Sequence, residues 1–347
     1  MKLNDKIYVA GHKGLAGSAI VKNLELRGYK NLIFRTHAEL DLINQASVAN
    51  FFEQEKPNYV ILAAATVGGI IANNNYRADF IYENLQIQNN VIHQSYLNGV
   101  EKLLFLGSTC IYPKETPQPM SENYLLTSPL EYTNEPYAIA KIAGVKMCES
   151  YNLQYGTNYI SVMPTNLYGP NDTFNLEKSH VLPSLLKKMH LARLLSEKKY
   201  DDIVNDLGFD DFNKAKQYLT NFGVSEDKVE IWGTGKPRRE FLYSEDMADA
   251  CIFLLENFNF SDFIKPGLKE IRNTHINIGT GSDVSISELA KIIKVIVGYS
   301  GDIFFNTKKP DGTMLKRTNT DKINSLGWSH KTKLSDGIQK VYDEYIK

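Results

Sequence analysis

A doubly wound α/β fold on a parallel sheet, with a smaller mixed α/β domain attached, is what this sequence predicts. Three observations predict it. Short aliphatic or β-branched runs alternate with stretches of helical period through the first half of the chain. A glycine-rich turn joins the first such run to the first helix, and the alternation stops after Tyr168-Gly169-Pro170. A chain of 347 residues is also long for one hydrophobic core, which favours a second domain.

Taken in order, Ile7 to Ala10 reads as the first strand, an uninterrupted apolar run of the kind a strand buried on both faces needs. Ala16 to Arg27 has helical period, and Asn31 to Arg35 reads as the second strand. Ser47 to Glu55 reads as the next helix. Tyr59 to Ala64, Lys102 to Leu106 and Tyr159 to Met163 read as buried strands, with amphipathic helices at Phe80 to Asn98 and Ala138 to Tyr155 between them. Residues 1–170 are thus expected to form the dinucleotide-binding (Rossmann) domain, with ligands at the carboxyl ends of its strands. Residues 171–347 are expected to be mainly the substrate domain, with parts returning to the first. Within them, 191–227 is rich in Lys, Asp, Asn and Leu at helical spacing and reads as a peripheral helical insertion with a solvated face.

A net charge of −1 argues against a dedicated nucleic-acid binder. Cys110, Cys148 and Cys251 are too scattered for a disulfide framework or a metal site, so a cytoplasmic protein without a metal is expected. No apolar run approaches the length that spans a bilayer, and membrane insertion is not expected.

Gly11-His12-Lys13-Gly14-Leu15-Ala16-Gly17 follows the first strand and opens the first helix. Glycines at this spacing turn the backbone sharply and let a pyrophosphate approach the helix N-terminus, where unpaired N–H groups favour negative charge. Sites selective for NAD usually end the second strand in a carboxylate that binds the ribose 2′-hydroxyl. Here it ends Phe34-Arg35-Thr36-His37, and a cation at Arg35, helped by Lys13, favours the 2′-phosphate of NADP(H).

Tyr137 and Lys141 stand one helical turn apart, on one face. An ammonium beside a phenol is expected to lower its pKa, so that it exchanges a proton with a carbonyl or alcohol oxygen. Ser108, after the strand Lys102 to Leu106, offers a hydroxyl to the same oxygen. With the glycine loop, these are the ordered parts of a short-chain dehydrogenase/reductase, whose hydride chemistry needs no metal.

Longer strings of sequence sharpen this. They are Ala10 to Gly14, Ala63 to Ile70, Ala78 to Tyr82, Leu103 to Pro113, Asn134 to Lys141, Met163 to Pro170, Ser179 to Pro183, Arg239 to Phe241 and Lys309 to Thr313. In these strings the chain resembles the GDP-L-fucose synthase family, extended short-chain reductases that epimerise and then reduce a GDP-4-keto-6-deoxy sugar. The resemblance implies Ser108, Tyr137 and Lys141 for reduction, with Cys110 and His180 as the acid/base pair for epimerisation at C3 and C5. It places Leu106, Gly107, Pro164, Thr165, Asn166, Leu167, His37 and His180 with the cofactor, and Lys188, Trp232, Arg239 and Asp311 with the nucleotide sugar. A homodimer is implied in the same way. Carbons flanking a ketone are acidic enough to lose a proton to an enzyme base, and a thiol and an imidazole suit that exchange.

The chain departs from the family at Lys13 (usually arginine), at His37 (another basic residue) and at Thr109 (usually serine). The 191–227 segment is also extra. These departures leave open a seven-carbon sugar and a chain that only reduces C4. A cofactor-sensing regulator without turnover is the rival of another class, and the intact Ser108, Tyr137 and Lys141 argue against it.

Overall fold

The computed structural model describes residues 1–264, 267 and 269–347, without the side chains of Ile70 and Ile71, so the last side chain of the 63–70 string lies outside the description. The chain divides into two compact units. One comprises Met1–Asn171, Glu240–Ser282 and Arg317–Lys331; the other comprises Asp172–Arg239, Asp283–Lys316 and Thr332–Lys347.

In the first unit, β1 (Ile7–Ala10), β2 (Leu32–Ile33), β3 (Tyr59–Leu62), β4 (Lys102–Leu106) and β5 (Tyr159–Pro164) join a later strand, Ile276–Ile278, in a six-stranded sheet whose pairings are all parallel. β2 and β3 flank β1 on opposite sides, so the winding reverses at β1, the point where doubly wound sheets take their ligands. Alternate strand residues feed two cores. Ile7, Val9, Ile61, Leu104 and Ile160 pack with Ile20 and Leu24 of α1 (Leu15–Leu26) and with Met247 and Leu254 of the helix Ser244–Asn257. Tyr8, Val60, Leu62, Leu103, Phe105 and Tyr159 face the other way, against Phe52 of α2 (Gln45–Glu55). On that side α3 (Ile70–Asn75) leads into α4 (Arg77–Leu97), which supplies Val91 and Ile92, and α5 (Glu135–Tyr155) supplies Val145. Two buried faces are why β1 and β3, at the centre of the sheet, are continuously apolar rather than alternating.

The sequence reading differs from this architecture in detail. β2 is two residues long, not the expected Asn31 to Arg35, because it is an edge strand paired only with β1 and the chain leaves the sheet after Ile33. The sixth strand, Ile276–Ile278, is three residues long, too short to carry a legible period. α5 begins with proline in its first turn, where the missing N–H is free of cost, and ends at Gly156 with φ of 68°.

The second unit carries α6 (Val181–Ser196), α7 (Tyr200–Leu207) and α8 (Phe212–Asn221), a parallel pair Lys228–Trp232 with Asp302–Asn306, and a small sheet of Val284–Ser285, Arg238–Arg239 and Leu315–Lys316. Residues 191–227 begin inside α6 and run through α7 and α8. α7 is tied down by Asp206, which pairs with Lys187 Nζ of α6 at 3.0 Å and accepts a hydrogen bond at 2.6 Å from Tyr345 Oη of the helix Leu334–Tyr345.

Candidate active site

β1 delivers the chain into the glycine turn, and the three glycines are needed for different reasons. Gly11 has φ of +87°, and a Cβ there would stand 2.7 Å from the Ala64 nitrogen. A Cβ on Gly17 would stand 2.1 Å from the Gly11 carbonyl oxygen. Gly14 has an ordinary φ of −76°, is exposed, and a Cβ would meet nothing closer than 3.6 Å. The fold itself leaves room for a methyl group at Gly14. Among the described residues no side chain caps α1 there, and no acid stands in its first turn, so its N-terminal N–H groups are open to an anion, as a dinucleotide pyrophosphate requires. Gly14→Ala is therefore expected to fold with an unchanged melting temperature and to bind NADPH about tenfold or more weakly, the scale of one lost charge-assisted hydrogen bond. Gly17→Ala should instead lower the melting temperature. Calorimetry with and without NADPH separates the two, and unaltered binding in Gly14→Ala would remove the cradle from the site.

Around the tip of β2 two carboxylates join the expected cations. Arg35 donates to Glu55 Oε1 at 2.5 Å and to the Phe34 carbonyl at 2.7 Å, and lies 5.4 Å from the Phe51 ring centre. Glu39 accepts from the Thr36 N–H at 2.7 Å and its hydroxyl at 2.8 Å; these bonds, with Arg35 and Lys13 nearby, hold its carboxyl below the usual range. Lys13 is exposed and makes no ion pair among the described residues, while the His12 ring stacks on Phe34 at 5.1 Å. His37 is exposed, 3.8 Å from Asp41. The reading of the strand tip as free of carboxylate thus misses Glu39, which the turn after β2 brings back beside Lys13 and Arg35.

β4 ends at Leu106, and Gly107 follows where a Cβ would overlap the Met163 side chain at 2.2 Å. Ser108 then caps a short turn, Thr109–Ile111, its Oγ accepting the Cys110 N–H at 3.3 Å. In the first turns of α5, Lys141 is 3% exposed; its Nζ donates to the Leu106 carbonyl at 2.8 Å and lies 4.8 Å from the Phe105 ring centre and 5.8 Å from that of Tyr137. The structure therefore brings Tyr137 and Lys141 together at the carboxyl end of β4. Burial pushes the Lys141 ammonium down to about 8, against the opposing pull of Cys110. Burial also pushes the Tyr137 phenol above its ordinary value of 10, with Cys110 adding to it. This is the opposite of the expected lowering: removing the phenolate from water sets the direction of the shift. Cys110 itself is 9% exposed and close enough for its charge to act on both.

From β5 the chain passes through Pro164 and Thr165, whose N–H bonds the Ile278 carbonyl at 3.0 Å, into β6 (Asn166–Tyr168), which pairs in parallel with Phe241–Tyr243. Asn166 Nδ2 donates to the Glu240 carbonyl at 2.8 Å, and Leu167 pairs with Leu242. The fully buried Glu240 carboxylate accepts from the backbone of Thr280, Gly281 and Thr318 at 2.6, 2.7 and 2.7 Å, a brace for this segment that sequence reading did not single out.

In the second unit, His180 precedes α6 as its N-cap residue and is exposed. Lys188, on the same helix, is buried; burial takes its ammonium down to about 8 against the pull of Glu230, and its Nζ donates to the Glu230 carbonyl at 3.2 Å. Trp232 is 55% exposed with Lys309 Nζ 5.0 Å from its ring centre, which rules out core packing for it. Arg239 donates to the carbonyls of Arg238 and Thr313, and Asp311 clamps Thr234 through its N–H at 2.8 Å and its hydroxyl at 2.7 Å. No cluster of three or more potential metal ligands occurs among the described residues, and no helix there is long and apolar enough to cross a membrane.

Comparison with known proteins agrees with this arrangement. The NAD dependent epimerase/dehydratase family matches residues 7–279. GDP-L-fucose synthase 1 of Arabidopsis thaliana is 52% identical over 99% of this chain and 93% of its own length. Among solved structures, a GDP-6-OMe-4-keto-L-xylo-heptose reductase from C. jejuni is 54% identical, covers 100% of this chain and 99% of its own, and superposes with a TM-score of 0.96. A GDP-D-glycero-L-gluco-heptose synthase from Campylobacter jejuni, solved in the presence of NADPH, is 53% identical over 100% of both chains with a TM-score of 0.95. The chain belongs to the NAD dependent epimerase/dehydratase family and, within it, to the group of GDP-L-fucose synthases and GDP-heptose reductases.

Proposed function

We propose that this protein uses NADPH to reduce the C4 keto group of a GDP-4-keto-6-deoxy sugar, hexose or heptose, after epimerising the carbons on either side. The observation that carries the reading is the Tyr137/Lys141 pair at the end of β4, with Cys110 acting electrostatically on both. It occurs in a chain whose relatives are named for this chemistry.

The glycine turn 11–17 holds the cofactor pyrophosphate on α1, and Lys13 with Arg35 receives the 2′-phosphate, Arg35 exchanging its bond to Glu55 for it. His12 and His37 lie along the same edge; Leu106, Gly107 and the segment Pro164 to Leu167 shape the nicotinamide end. When bound, the cofactor supplies the hydride that reaches C4. Tyr137, kept protonated by burial, gives its proton to the C4 oxygen; Ser108 donates a hydrogen bond to that oxygen, and the Lys141 ammonium stabilises the phenolate left behind. Cys110 and His180 exchange the protons of C3 and C5. Lys188 and Arg239 take the diphosphate, Trp232 offers a ring to pack on, and Asp311 sets the loop beside it through Thr234. α4 and α5 expose Leu97, Leu153 and Tyr155, apolar surface that a second copy would cover in a homodimer. The three cysteines are free thiols, in keeping with a cytoplasmic enzyme.

Incubation with candidate GDP-4-keto-6-deoxy hexoses and heptoses should oxidise NADPH faster than NADH and leave a C4 alcohol identifiable by NMR. Absence of NADPH oxidation with every such sugar would refute the proposal. The reading as a C4-reductase alone is favoured by the 54% identical relative, which is named a reductase.

A further inference from the structure

The turn Thr109–Ile111 closes on Tyr112, whose N–H returns to the Thr109 carbonyl at 3.4 Å. The Tyr112 side chain is 2% exposed. Its hydroxyl lies 2.5 Å from Asn277 Oδ1, in the sixth strand of the sheet, and 3.1 Å from Nε2 of His275, just before that strand. The surrounding backbone settles the direction of each bond. Asn277 Nδ2 donates to the carbonyls of Met120 at 3.0 Å and Asn319 at 3.2 Å, so its oxygen must face Tyr112 and accept. Tyr112 has one proton to give and gives it there; its lone pair then accepts from His275 Nε2–H. His275 Nδ1 has no partner among the described residues, and burial, with Lys322 and Lys146, pushes the imidazole down to about 3, so the ring stays neutral in that tautomer. The Asn277 N–H is satisfied by Glu122 at 3.1 Å.

By contrast, the turn's own hydrogen bonds are weak, and its packing comes from Ile111, fully buried in the same core cluster as Tyr112. Its internal bonds, Cys110 N–H to Ser108 Oγ at 3.3 Å and Tyr112 N–H to Thr109 at 3.4 Å, are long, and three-residue turns of this type have poor hydrogen-bond geometry. The fixed point is the short bond deeper in the core. We infer that Tyr112 is a positioning residue: its hydroxyl, bonded to Asn277, anchors the 109–111 turn that presents Ser108 and Cys110. This rests on the reading of Ser108 and Cys110 as groups that work on the sugar ring. A reacting group displaced by about 1 Å can cost about 100-fold in rate, so a loosened anchor is felt in chemistry before it is felt in cofactor binding.

Tyr112→Phe and Asn277→Ser cut the same bond from opposite ends, the second also removing the Nδ2 bonds to Met120 and Asn319, whereas His275→Leu removes a polar ring from the cluster and leaves that bond in place. With NADPH and a GDP-4-keto-6-deoxy sugar, each of the first two should lower kcat about tenfold or more at an unchanged KM for NADPH. The double variant should be no slower than the worse single, because the two share one interaction. His275→Leu should keep kcat within about twofold of the parent even if it melts earlier. Should one of the bond-cutting variants fail to fold, the other carries the comparison. A fall in kcat in His275→Leu equal to that in Tyr112→Phe or Asn277→Ser overturns the anchor. Hydrogen exchange at the Cys110 amide, measured without substrate, should quicken in Tyr112→Phe and not in His275→Leu; an unchanged rate overturns the anchor whatever the enzyme turns over. Faster exchange with no effect on turnover would uphold the anchor and instead refute the assignment of Ser108 and Cys110 to the chemistry.

Discussion

Tyr137→Phe is expected to slow NADPH oxidation by about 100- to 10,000-fold, the loss typical of a positioned general acid, while NADPH binds as before. The phenol lies at the start of α5 with its pKa raised by burial, so it is protonated throughout the neutral range. That is the state reduction calls for, since the C4 oxygen gains a proton as the hydride arrives. Phenylalanine keeps the ring beside Lys141 and removes only the proton. A pH profile gives a second measure. Lys141 is pushed down to about 8 by burial, so its charge is present below that value and lost as pH rises through it. Because kcat/KM reports the free enzyme, it should fall above pH 8 in the parent. Near-parental turnover in Tyr137→Phe would mean that another group protonates the C4 oxygen.

The second large effect concerns the carbons beside the ketone. In deuterated water the parent should place deuterium at C3 and C5, because each inversion passes through a deprotonated carbon that recaptures a solvent proton. Cys110→Ser should suppress that exchange by about 100-fold or more, since a serine hydroxyl is a far weaker acid than a thiol. Reduction of an already epimerised ketone should survive, as Ser108, Tyr137 and Lys141 are untouched. Mass spectrometry of the reduced sugar reads both halves. Reduced product from the parent without deuterium at either carbon would make the chain a C4-reductase alone and leave His180 as a binding residue.

The fold class was legible because buried parallel strands must be apolar on both faces, and runs such as Ile7 to Ala10 and Lys102 to Leu106 coincide with the observed strands. β2 was overextended because Phe34 and Arg35 look like strand residues, while the chain leaves the sheet to bond Glu55. The pairing of Tyr137 with Lys141 followed from helical spacing, but the direction of the phenol's shift did not, since it depends on how much water the fold excludes. Glu240 and the Tyr112 cluster were not singled out because their partners are distant in the chain or reached through backbone groups that carry no residue-specific pattern, whereas Glu39, bonded locally to Thr36, was passed over because it lies beyond the strand tip. His180, Lys188, Arg239 and Asp311 rest on resemblance, for nothing in their local spacing announces a ligand.

The sheet's last strand, Ile276–Ile278, bears on how the protein is made. β5 has one edge that stays open until that strand pairs with Val162 to Pro164, and the ribosome delivers it only after most of the second unit has emerged. At about 5 to 20 residues per second, the nascent nucleotide-binding half waits several seconds with an unpaired, largely apolar edge, the condition that recruits chaperones and seeds aggregation. A fragment cut at residue 170 would keep that edge permanently. It should be insoluble when expressed by itself, however complete its glycine turn and its Tyr137/Lys141 pair.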